Sequence, residues 1–538
     1  MKSKIIQQYL YNGTFWAGNN VKPISGWIEI SNSKISQIEE GELPDRYLGK
    51  SSINLNKAHV LPGLVDCHSH LSVSAWIPFT IDGSAWTTKK SLLSSISRNS
   101  KNLDKESWLI AFHADFYHMD QLPTLDELNS ASGGRPVVIS DYSLHLYLVN
   151  EAAVKISGIC DFKYPSGEIE YKKGKLTGLI KESAGGYMLG MALTKFSEHF
   201  EGLNVYTMLE MEAERHLSLG ITGCHDPSVH PRIQFAMEKL EKKSPLKLSW
   251  SHVKAHEDPE FIPDELCLSC GTGPRSAKIF LDGASQCSLC LDPMQIMKMS
   301  AYSIGTALKG DFKGLKSLTR TKLNYKNGLF FSPHLRMNKT QASQILSDLG
   351  SEGLRPKIHA LGNEAVNCAC TALKESKTKD ATIEHLVFLT DENIENVAST
   401  GAIASLQPGF LENTSEIRDS NIEKVFHVIP AKSLMKAGVP TALSSDNPCG
   451  PLNPLENIRR AVNRNTSSGY IFDKKESLTM SEAIRAYSIV GNQAIHGKEG
   501  KGLELGAEAD MTILNGHPEN NFSEVISTWI DGVEVYSR

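Results

Sequence analysis

Eight short apolar segments run through the middle of this chain, and helical patterns lie between most of them. The eight predicted strands span residues 60–66, 221–226, 246–252, 277–282, 356–360, 382–386, 402–408 and 439–446. Strands that alternate with helices indicate a parallel sheet, and eight such units predict an α/β fold of the (β/α)8 TIM-barrel type. An open doubly wound sheet is the alternative, but no glycine-rich phosphate-binding motif follows the first strand.

Both ends of the chain have the pattern of short strands and turns. Asp531 and Gly532 separate two apolar runs near the carboxyl end, which predicts a β-hairpin. We therefore expect residues 1–58 and 495–538 to form one composite β-sandwich domain, and residues 59–494 to form the barrel. Two insertions near 71–201 and 283–330 interrupt the barrel, and loops of that length usually carry their own structure or a function.

The composition is that of a folded globular protein, with 40% hydrophobic and 22% charged residues, which excludes a disordered, collagen-like or coiled-coil chain. The formal net charge is −5 and the basic residues are spread along the chain, so we expect no nucleic-acid partner. No apolar run is long enough to cross a membrane, so we expect no membrane partner, and the first 19 residues lack the pattern of a signal peptide. Ten cysteines in 538 residues favour a reducing compartment, and together these features predict a cytoplasmic protein.

The strongest chemical signal is the sequence His68-Ser69-His70, directly after the first predicted strand. Residues two apart in a strand point to the same side, so both imidazoles are expected to face one point. Barrel enzymes hold their active sites at the carboxyl ends of the strands. Two converging imidazoles are suitable ligands for a borderline metal such as Zn²⁺.

Other predicted strands contain residues of the same chemical kind. His359 and His385 lie at the ends of the fifth and sixth strands, Asp446 ends the eighth, and Lys278 lies in the fourth. A single histidine in such a place is more often a core residue, but the combination with the first histidine pair predicts a metal centre. Glu384, next to His385, is expected to point away from this centre because side chains alternate along a strand.

The order H-x-H, Lys, His, His and Asp resembles the amidohydrolase superfamily of metal-dependent hydrolases. The local motifs are similar to the branch that contains N-substituted formamide deformylase and the YtcJ-type proteins, amidohydrolase family 3. They are Leu61-Pro62-Gly63-Leu64-Val65-Asp66, the segments 278–283, 359–362 and 383–385, Gln407-Pro408, Ser445-Asp446-Asn447-Pro448 and Gly506-Ala507-Glu508-Ala509-Asp510. The resemblance covers nearly the whole chain. It implies a distorted (β/α)8 barrel with a small β-sandwich from both termini, and an enzyme that hydrolyses carbon–nitrogen bonds other than peptide bonds.

The resemblance also implies a cofactor of two divalent metal ions, with zinc expected first and iron, manganese, cobalt and nickel as alternatives. Lys278 would be N6-carboxylated, since a free ammonium has no lone pair for a metal. One metal would be bound by His68, His70, Asp446 and the carbamate, and the other by His359, His385 and the carbamate. The metals would share a hydroxide that attacks the substrate carbonyl, with Asp446 as its general base and then as the acid for the leaving amine.

His145, in the first insertion, matches a histidine motif of the same branch. We expect it to contact the substrate or the oxyanion as a catalytic residue, with a structural role as the alternative. Two departures from the branch concern the pocket. His113-Ala114-Asp115 stands where the branch has Gly-Trp-Asp, and Asn363 and Glu364 follow His359 where relatives often carry Asp and Arg. The second departure would change the support of the His359 imidazole.

Four cysteines suggest a second metal hypothesis. Cys267, Cys270, Cys287 and Cys290 form two C-x2-C pairs with sixteen residues between them, a spacing typical of structural zinc sites. The predicted fourth strand lies between the pairs, and a strand of about seven residues holds its ends roughly 23 Å apart. We therefore favour free or core thiols over a shared metal, and we expect Cys67 in the core.

Three alternatives to a binuclear hydrolase stay open. They are a mononuclear deaminase-like enzyme of the same superfamily with unmodified Lys278, a non-catalytic barrel used as a binding scaffold, and a zinc-ribbon interaction module at 267–290. The expected partner is a small-molecule substrate, such as an N-acyl or N-formyl amine, and dimeric relatives make a homodimer an expectation. The substrate itself does not follow from the sequence.

Overall fold

The structure of the protein is a computed structural model that describes residues 7–18, 22–49, 51–101, 103–161, 168–197, 204–254, 270–271, 275–283, 287–320, 323–332, 335–412 and 421–538. No helix within these ranges is long and apolar enough to span a membrane. Six sheets form in this part of the chain, and two of them together make the barrel.

Eight parallel strands form the barrel in the order in which they occur along the chain. They are β1 (Leu64–Asp66), β2 (Ile221–Asp226), β3 (Lys247–Trp250, continued by His252–Val253), β4 (Ser276–Phe280), β5 (Arg355–Ala360), β6 (Thr382–His385), β7 (Ile403–Leu406) and β8 (Thr441–Leu443). The loops after β8 and β1 close the ring: Asp446 N donates to the His68 carbonyl, and His70 N donates to the Asn447 carbonyl, both at 2.8 Å. The expected α/β barrel is confirmed.

Helices connect the strands and pack against them. In chain order they are Val205–Ser218 before β2, Gln234–Lys243 before β3, Lys339–Ser351 before β5, Asn363–Ser376 before β6, Asp391–Ala398 before β7, Ala431–Lys436 before β8, and then Pro454–Asn463, Met480–Tyr487 and Ile489–His496. Ile358 and Ile383 of neighbouring strands are fully buried in the largest core cluster. Full burial of one such side chain stabilises the fold by about 1.5–3 kcal/mol.

A separate mixed sheet joins the two ends of the chain. Its strands are Gln7–Phe15, Ile24–Ser31, Lys34–Glu40, Ser52–Asn54, His59–Pro62, Met511–Leu514, Val525–Ile530 and Val533–Ser537. His59–Pro62 pairs with Met511–Leu514, so the single strand expected at 60–66 divides at Gly63 and only its second half enters the barrel. A Cβ at Gly63 would lie 2.4 Å from Thr222 Oγ1, so glycine permits this close approach. The domain limits at 58/59 and 494/495 stay a prediction.

Both insertions carry secondary structure of their own. The first has a six-stranded sheet of Ile81–Asp82, Leu109–Ala114, Val137–Asp141, Leu146–Val149, Ile169–Lys172 and Lys175–Lys181, with helices Leu71–Ser74, Lys89–Ser100, Leu125–Ala131, Glu151–Ser157 and Glu182–Ser197. The second has a three-stranded sheet of Cys290–Leu291, Asn324–Lys326 and Leu329–Phe331, with helices Pro293–Ala307 and Lys313–Arg320. A further two-stranded pair joins Phe388–Leu389 to His427–Val428.

Candidate metal centre

The residues expected as metal ligands lie within β4, β5 and β6 or just after β1 and β8, and they are almost fully buried. The exposed fractions are 1% for His68 and Lys278, 2% for His359 and His385, and 5% for Asp446, whereas His70 is half-buried. Parallel barrel strands end on the same side, so their carboxyl ends bring these side chains together. Burial this complete requires that each polar group has a partner or a ligand.

Asp446 lies between the two histidines of the H-x-H motif. Its Oδ1 is 3.0 Å from His68 Nε2 and 3.0 Å from His70 Nε2. The ligating atoms of all three residues lie within 4.8 Å of one another. On the far side of the His70 ring, the Ser228 hydroxyl lies 2.8 Å from Nδ1 and orients the imidazole.

His385 and His359 lie next to this group. The ring of His385 is 4.9 Å from that of His68 and 4.4 Å from that of His359, measured between centroids. Nδ1 of His385 is 2.9 Å from Gln407 Oε1, and because an amide oxygen only accepts, Nδ1 donates this hydrogen bond. The other ring nitrogen, Nε2, therefore keeps its lone pair for a ligand. The role of Gln407 was not predicted, although its motif was recognised.

Glu384 faces the centre, and the prediction that it points away is wrong. Its carboxylate forms an ion pair with the Lys278 ammonium, and its Oε1 lies 3.1 Å from His68 Nδ1. The reason is the backbone at the end of β6, where His385 and Leu386 have φ of +81° and +46°. Positive φ breaks the alternation of side chains, so neighbouring residues both reach the site. The signal that points to Glu384 is the buried lysine itself, because a buried ammonium requires an anion.

The pKa shifts indicate which groups of the site carry charge. Burial raises the pKa of Asp446, but His68 and His70 overcome this effect and hold it well below its ordinary value. Burial lowers the pKa of His385 to about 3, and burial with neighbouring cations holds that of His359 well below its ordinary range. Burial would lower the pKa of His68, but Glu384 and Asp446 raise it above its ordinary value. Ionised carboxylates beside the neutral rings of His359 and His385 are groups that bind a divalent metal, and a metal at His68 would displace its proton.

Two buried atoms of this set make no hydrogen bond with any part of the chain that the structure describes. They are the ring nitrogens His359 Nε2 and His385 Nε2. Buried polar atoms without partners are rare, and two on neighbouring rings mark a place for a bound ion or water. The residues present therefore fit a metal.

His145 reaches the same centre from the first insertion. Its ring centroid is 5.1 Å from that of His359 and 6.0 Å from that of Phe280. Its Nδ1 lies 2.7 Å from Glu182 Oε2. Burial alone would lower the pKa of His145, but the Glu182 carboxylate raises it above its ordinary value.

Two segments depart from the sequence pattern of the family branch, and their residues His113 and Asn363 make contacts outside the metal centre. His113 Nδ1 is 3.6 Å from Asp82 Oδ1, so its recorded ion pair lies within the first insertion. Asn363 does not support His359: its side-chain amide donates to the Cys290 carbonyl (2.8 Å) and its oxygen accepts from Cys290 N (2.9 Å).

The cysteines give no assembled second centre in the described ranges. Cys67 is buried against Ser405, as expected for a core residue. Cys287 and Cys290 are half-buried and form no disulfide. Cys267 lies outside the described residues, and of Cys270 only the backbone is described.

Comparison with known proteins agrees with this geometry. The sequence matches the amidohydrolase family over residues 52–536. It is 26% identical over 516 residues to the N-substituted formamide deformylase of Arthrobacter pascens (89% of this chain, 88% of that protein) and 25% identical over 515 residues to the YtcJ protein of Bacillus subtilis strain 168 (90% of each). The fold is similar to that of a metal-dependent hydrolase from Pyrococcus horikoshii OT3, with a TM-score of 0.66 over 99% of this chain and 100% of that one at 21% identity. The chain therefore belongs to the amidohydrolase family.

Proposed function

We propose that this protein is a metal-dependent hydrolase that cleaves an amide-type C–N bond of a small molecule, an N-acyl or N-formyl amine. The observation that carries the proposal is the convergence of His68, His70 and Asp446 at the carboxyl ends of the barrel strands, next to the unpaired ring nitrogens of His359 and His385. The name of the Arthrobacter pascens relative, an N-substituted formamide deformylase, supports the choice of substrate class.

His68, His70 and Asp446 would hold one divalent metal, and His359 and His385 a second, with zinc as the first choice. A metal bound there would supply Lewis-acid polarisation of the scissile carbonyl and would lower the pKa of an attacking water. The chain's own contribution is a dry site with fixed ligands. Gln407 orients the His385 ring and Ser228 orients the His70 ring, and such supporting contacts preserve ligand geometry.

Asp446 would take the proton from the attacking water and deliver it to the leaving amine. Its Oδ1 faces both histidines of the H-x-H motif, and its Oδ2 is 4.0 Å from His385 Nδ1. The backbone fixes the carboxylate, since Asp446 has φ of +53° and its N–H donates to the His68 carbonyl. His145 would contact the carbonyl oxygen as negative charge develops on it.

The Lys278–Glu384 ion pair favours a second candidate within the same family. An ammonium has no lone pair, so an unmodified Lys278 cannot bridge two metals. One metal would then bind at His68, His70 and Asp446, and the chemistry would be deaminase-like. The carboxylation of Lys278 stays a prediction. Protein incubated with ¹³C-bicarbonate and metal should show a carbamate carbon signal that Lys278→Ala lacks; the absence of this signal favours the mononuclear candidate.

Metal content and amide hydrolysis test the proposal together. Protein purified without chelator should hold about two metals per chain, and it should release benzylamine from N-benzylformamide or N-benzylacetamide. Asp446→Asn should lower the rate of benzylamine release about 10²–10⁴-fold, because the proton acceptor is lost. Asp391→Asn, an exposed carboxylate at a helix start, is the matched control and should keep full activity. Protein that binds no metal after metal and bicarbonate are supplied would contradict the proposal, and metal-loaded protein inactive on both amides would contradict the substrate class.

A further inference from the structure

We propose that Glu182 is a positioning residue that holds His145 toward the metal centre with the proton on Nδ1. The proposal rests on the proposed function, in which His145 contacts the reacting carbonyl. Neither the strand pattern nor the resemblance pointed to Glu182. Four observations on the described residues support the role: a double contact, an unusual backbone, a space that only glycine leaves, and a counter-cation.

Glu182 and His145 contact each other twice. The ring Nδ1 of His145 lies 2.7 Å from Glu182 Oε2, and the backbone N–H of Glu182 donates to the His145 carbonyl at 3.0 Å. Both side chains are largely buried, at 14% and 12% exposure. A carboxylate only accepts hydrogen bonds, so Nδ1 carries a proton and Nε2 is the nitrogen left for the substrate. In the cationic ring that the Glu182 carboxylate favours, Nε2 also carries a proton and can donate to the carbonyl oxygen. No hydrogen bond to Nε2 is found within the described part of the chain, and the ring lies beside His359.

The backbone at Glu182 is in the left-handed region, with φ of +50°. This residue ends the strand Lys175–Lys181 and begins the helix Glu182–Ser197. Leu144, the residue before His145, has φ of +58°. For a residue with a side chain this conformation costs about 1–2 kcal/mol, and it persists where surrounding contacts require it. Both members of the pair are thus placed by unfavourable backbone conformations.

Gly283 leaves the space that the Glu182 carboxylate occupies. A Cβ on Gly283 would lie 2.0 Å from Glu182 Oε1 and 2.9 Å from its carboxyl carbon, so any other residue here would displace the carboxylate. Gly283 follows β4, which carries Lys278, so the carboxylate is wedged against the barrel itself. The lack of a side chain at position 283 therefore permits the carboxylate to lie where it contacts His145.

The Arg336 guanidinium forms ion pairs with the carboxylates of Glu182 and Glu168. Its Nη1 is 3.5 Å from Glu182 Oε2, its Nη2 is 3.0 Å from Glu168 Oε1, and the guanidinium also contacts Ser183. Glu168 in turn accepts from the backbone N–H of Ala184 at 3.0 Å. Burial raises the pKa of Glu182, but His145 and Arg336 overcome this effect and lower it, so the carboxylate stays ionised against the imidazole.

The test is the protonation state of His145 in the full-length protein, which requires no substrate. In protein labelled with ¹⁵N-histidine, the ring signals lost in His145→Gln identify His145. We expect a protonated Nδ1 in the wild type. In Glu182→Ala, the ¹⁵N signals of both ring nitrogens should move toward the averaged values of two exchanging tautomers. Glu182→Gln, whose amide oxygen still accepts a hydrogen bond, should retain the Nδ1 proton. Unchanged His145 signals in Glu182→Ala would overturn the proposal.

Two further variants separate positioning from general damage. Glu168→Gln changes the other carboxylate that pairs with Arg336, and it should leave the His145 ring signals unchanged. Gly283→Ala keeps Glu182 but displaces its carboxylate, so it should reproduce the shift even where Glu182→Ala does not fold. A shift in Glu168→Gln as large as in Glu182→Ala would also overturn the role.

Kinetics give the second readout. On the amide that the wild type hydrolyses, Glu182→Ala should lower kcat about 10²-fold with little change in KM, and Glu182→Gln should recover part of the loss. A change in KM with kcat unchanged in Glu182→Ala would contradict a positioning role. If no amide is hydrolysed by the wild type, the proposed function fails while the ring signals still decide the role of Glu182.

Discussion

Glu384 and Lys278 form an ion pair at the base of the metal centre, with both side chains essentially inaccessible to solvent. The same carboxylate lies 3.1 Å from His68 Nδ1, so it joins the lysine of β4 to the histidine motif after β1. Burial raises the pKa of Glu384, but His68 and Lys278 together hold it well below its ordinary value. The interior of the barrel therefore contains a charge pair even without a metal.

In metal-free protein, Glu384→Gln should lower the free energy of unfolding by about 3–5 kcal/mol, because it leaves the Lys278 ammonium buried without an anion. Denaturant unfolding measures the loss. The double variant Glu384→Gln, Lys278→Met removes both charges and should recover most of the stability. A double variant whose loss equals the sum of the two single losses would contradict the pairing.

Gln407→Leu should weaken metal binding about 10–100-fold, because it removes the acceptor that holds the Nδ1 proton of His385. Competition with a chromogenic chelator measures the affinity. Gln407→Glu keeps an acceptor at the same place and serves as the matched control, with binding close to that of the wild type. Equal affinities of the leucine variant and the wild type would show that His385 is not a ligand.

Gly63→Ala should destabilise the protein by about 1–3 kcal/mol, because the new methyl group would overlap the Thr222 side chain and the Asp510 Cβ at 2.8 Å. Gly305, inside the helix Pro293–Ala307, has nothing within 4 Å of a built Cβ. Gly305→Ala should therefore be neutral or stabilising by up to about 1 kcal/mol. The contrast is measured by denaturant unfolding, and equal effects of the two changes would argue against close packing at Gly63.

His427 should make the stability depend on pH between neutral and alkaline conditions. The carboxylates of Glu476 and Asp391, at 3.5 Å and 2.9 Å from its ring nitrogens, raise its pKa to about 9. A raised folded-state pKa stabilises the fold fully below the unfolded pKa of about 6.5, and this contribution is lost as the pH rises through the folded value. Since solvent screens this half-buried group, we expect a loss of about 1 kcal/mol.

The free energy of unfolding of the wild type should therefore fall between pH 6.5 and 9. That of His427→Gln should change less over the same pH range. Glu476→Gln should flatten the profile in the same way, since it removes the largest cause of the raised pKa. Parallel profiles of wild type and His427→Gln would show that the cluster does not titrate there.

The strands and the ligand residue types could be predicted because both are local properties of the chain. Apolar segments of strand length recur at β2 and β5, and the chemistry at their carboxyl ends is visible in a few neighbouring letters. Parallel strands in a barrel end on one side, so the placement of His359 and Asp446 near His68 follows from the fold class alone. A resemblance carried by the same motifs then pointed to a metal.

The orientation of Glu384 and the pairing of Glu182 with His145 came from the assembled fold. A positive φ at His385 lets both Glu384 and His385 reach the site, and no two-residue period contains that information. Glu182 meets His145 across 37 residues, in a space that Gly283 leaves open and beside a cation from Arg336. Strand period and residue chemistry are local, whereas side-chain direction at a strand end and the approach of distant loops depend on how the whole barrel and its insertions pack.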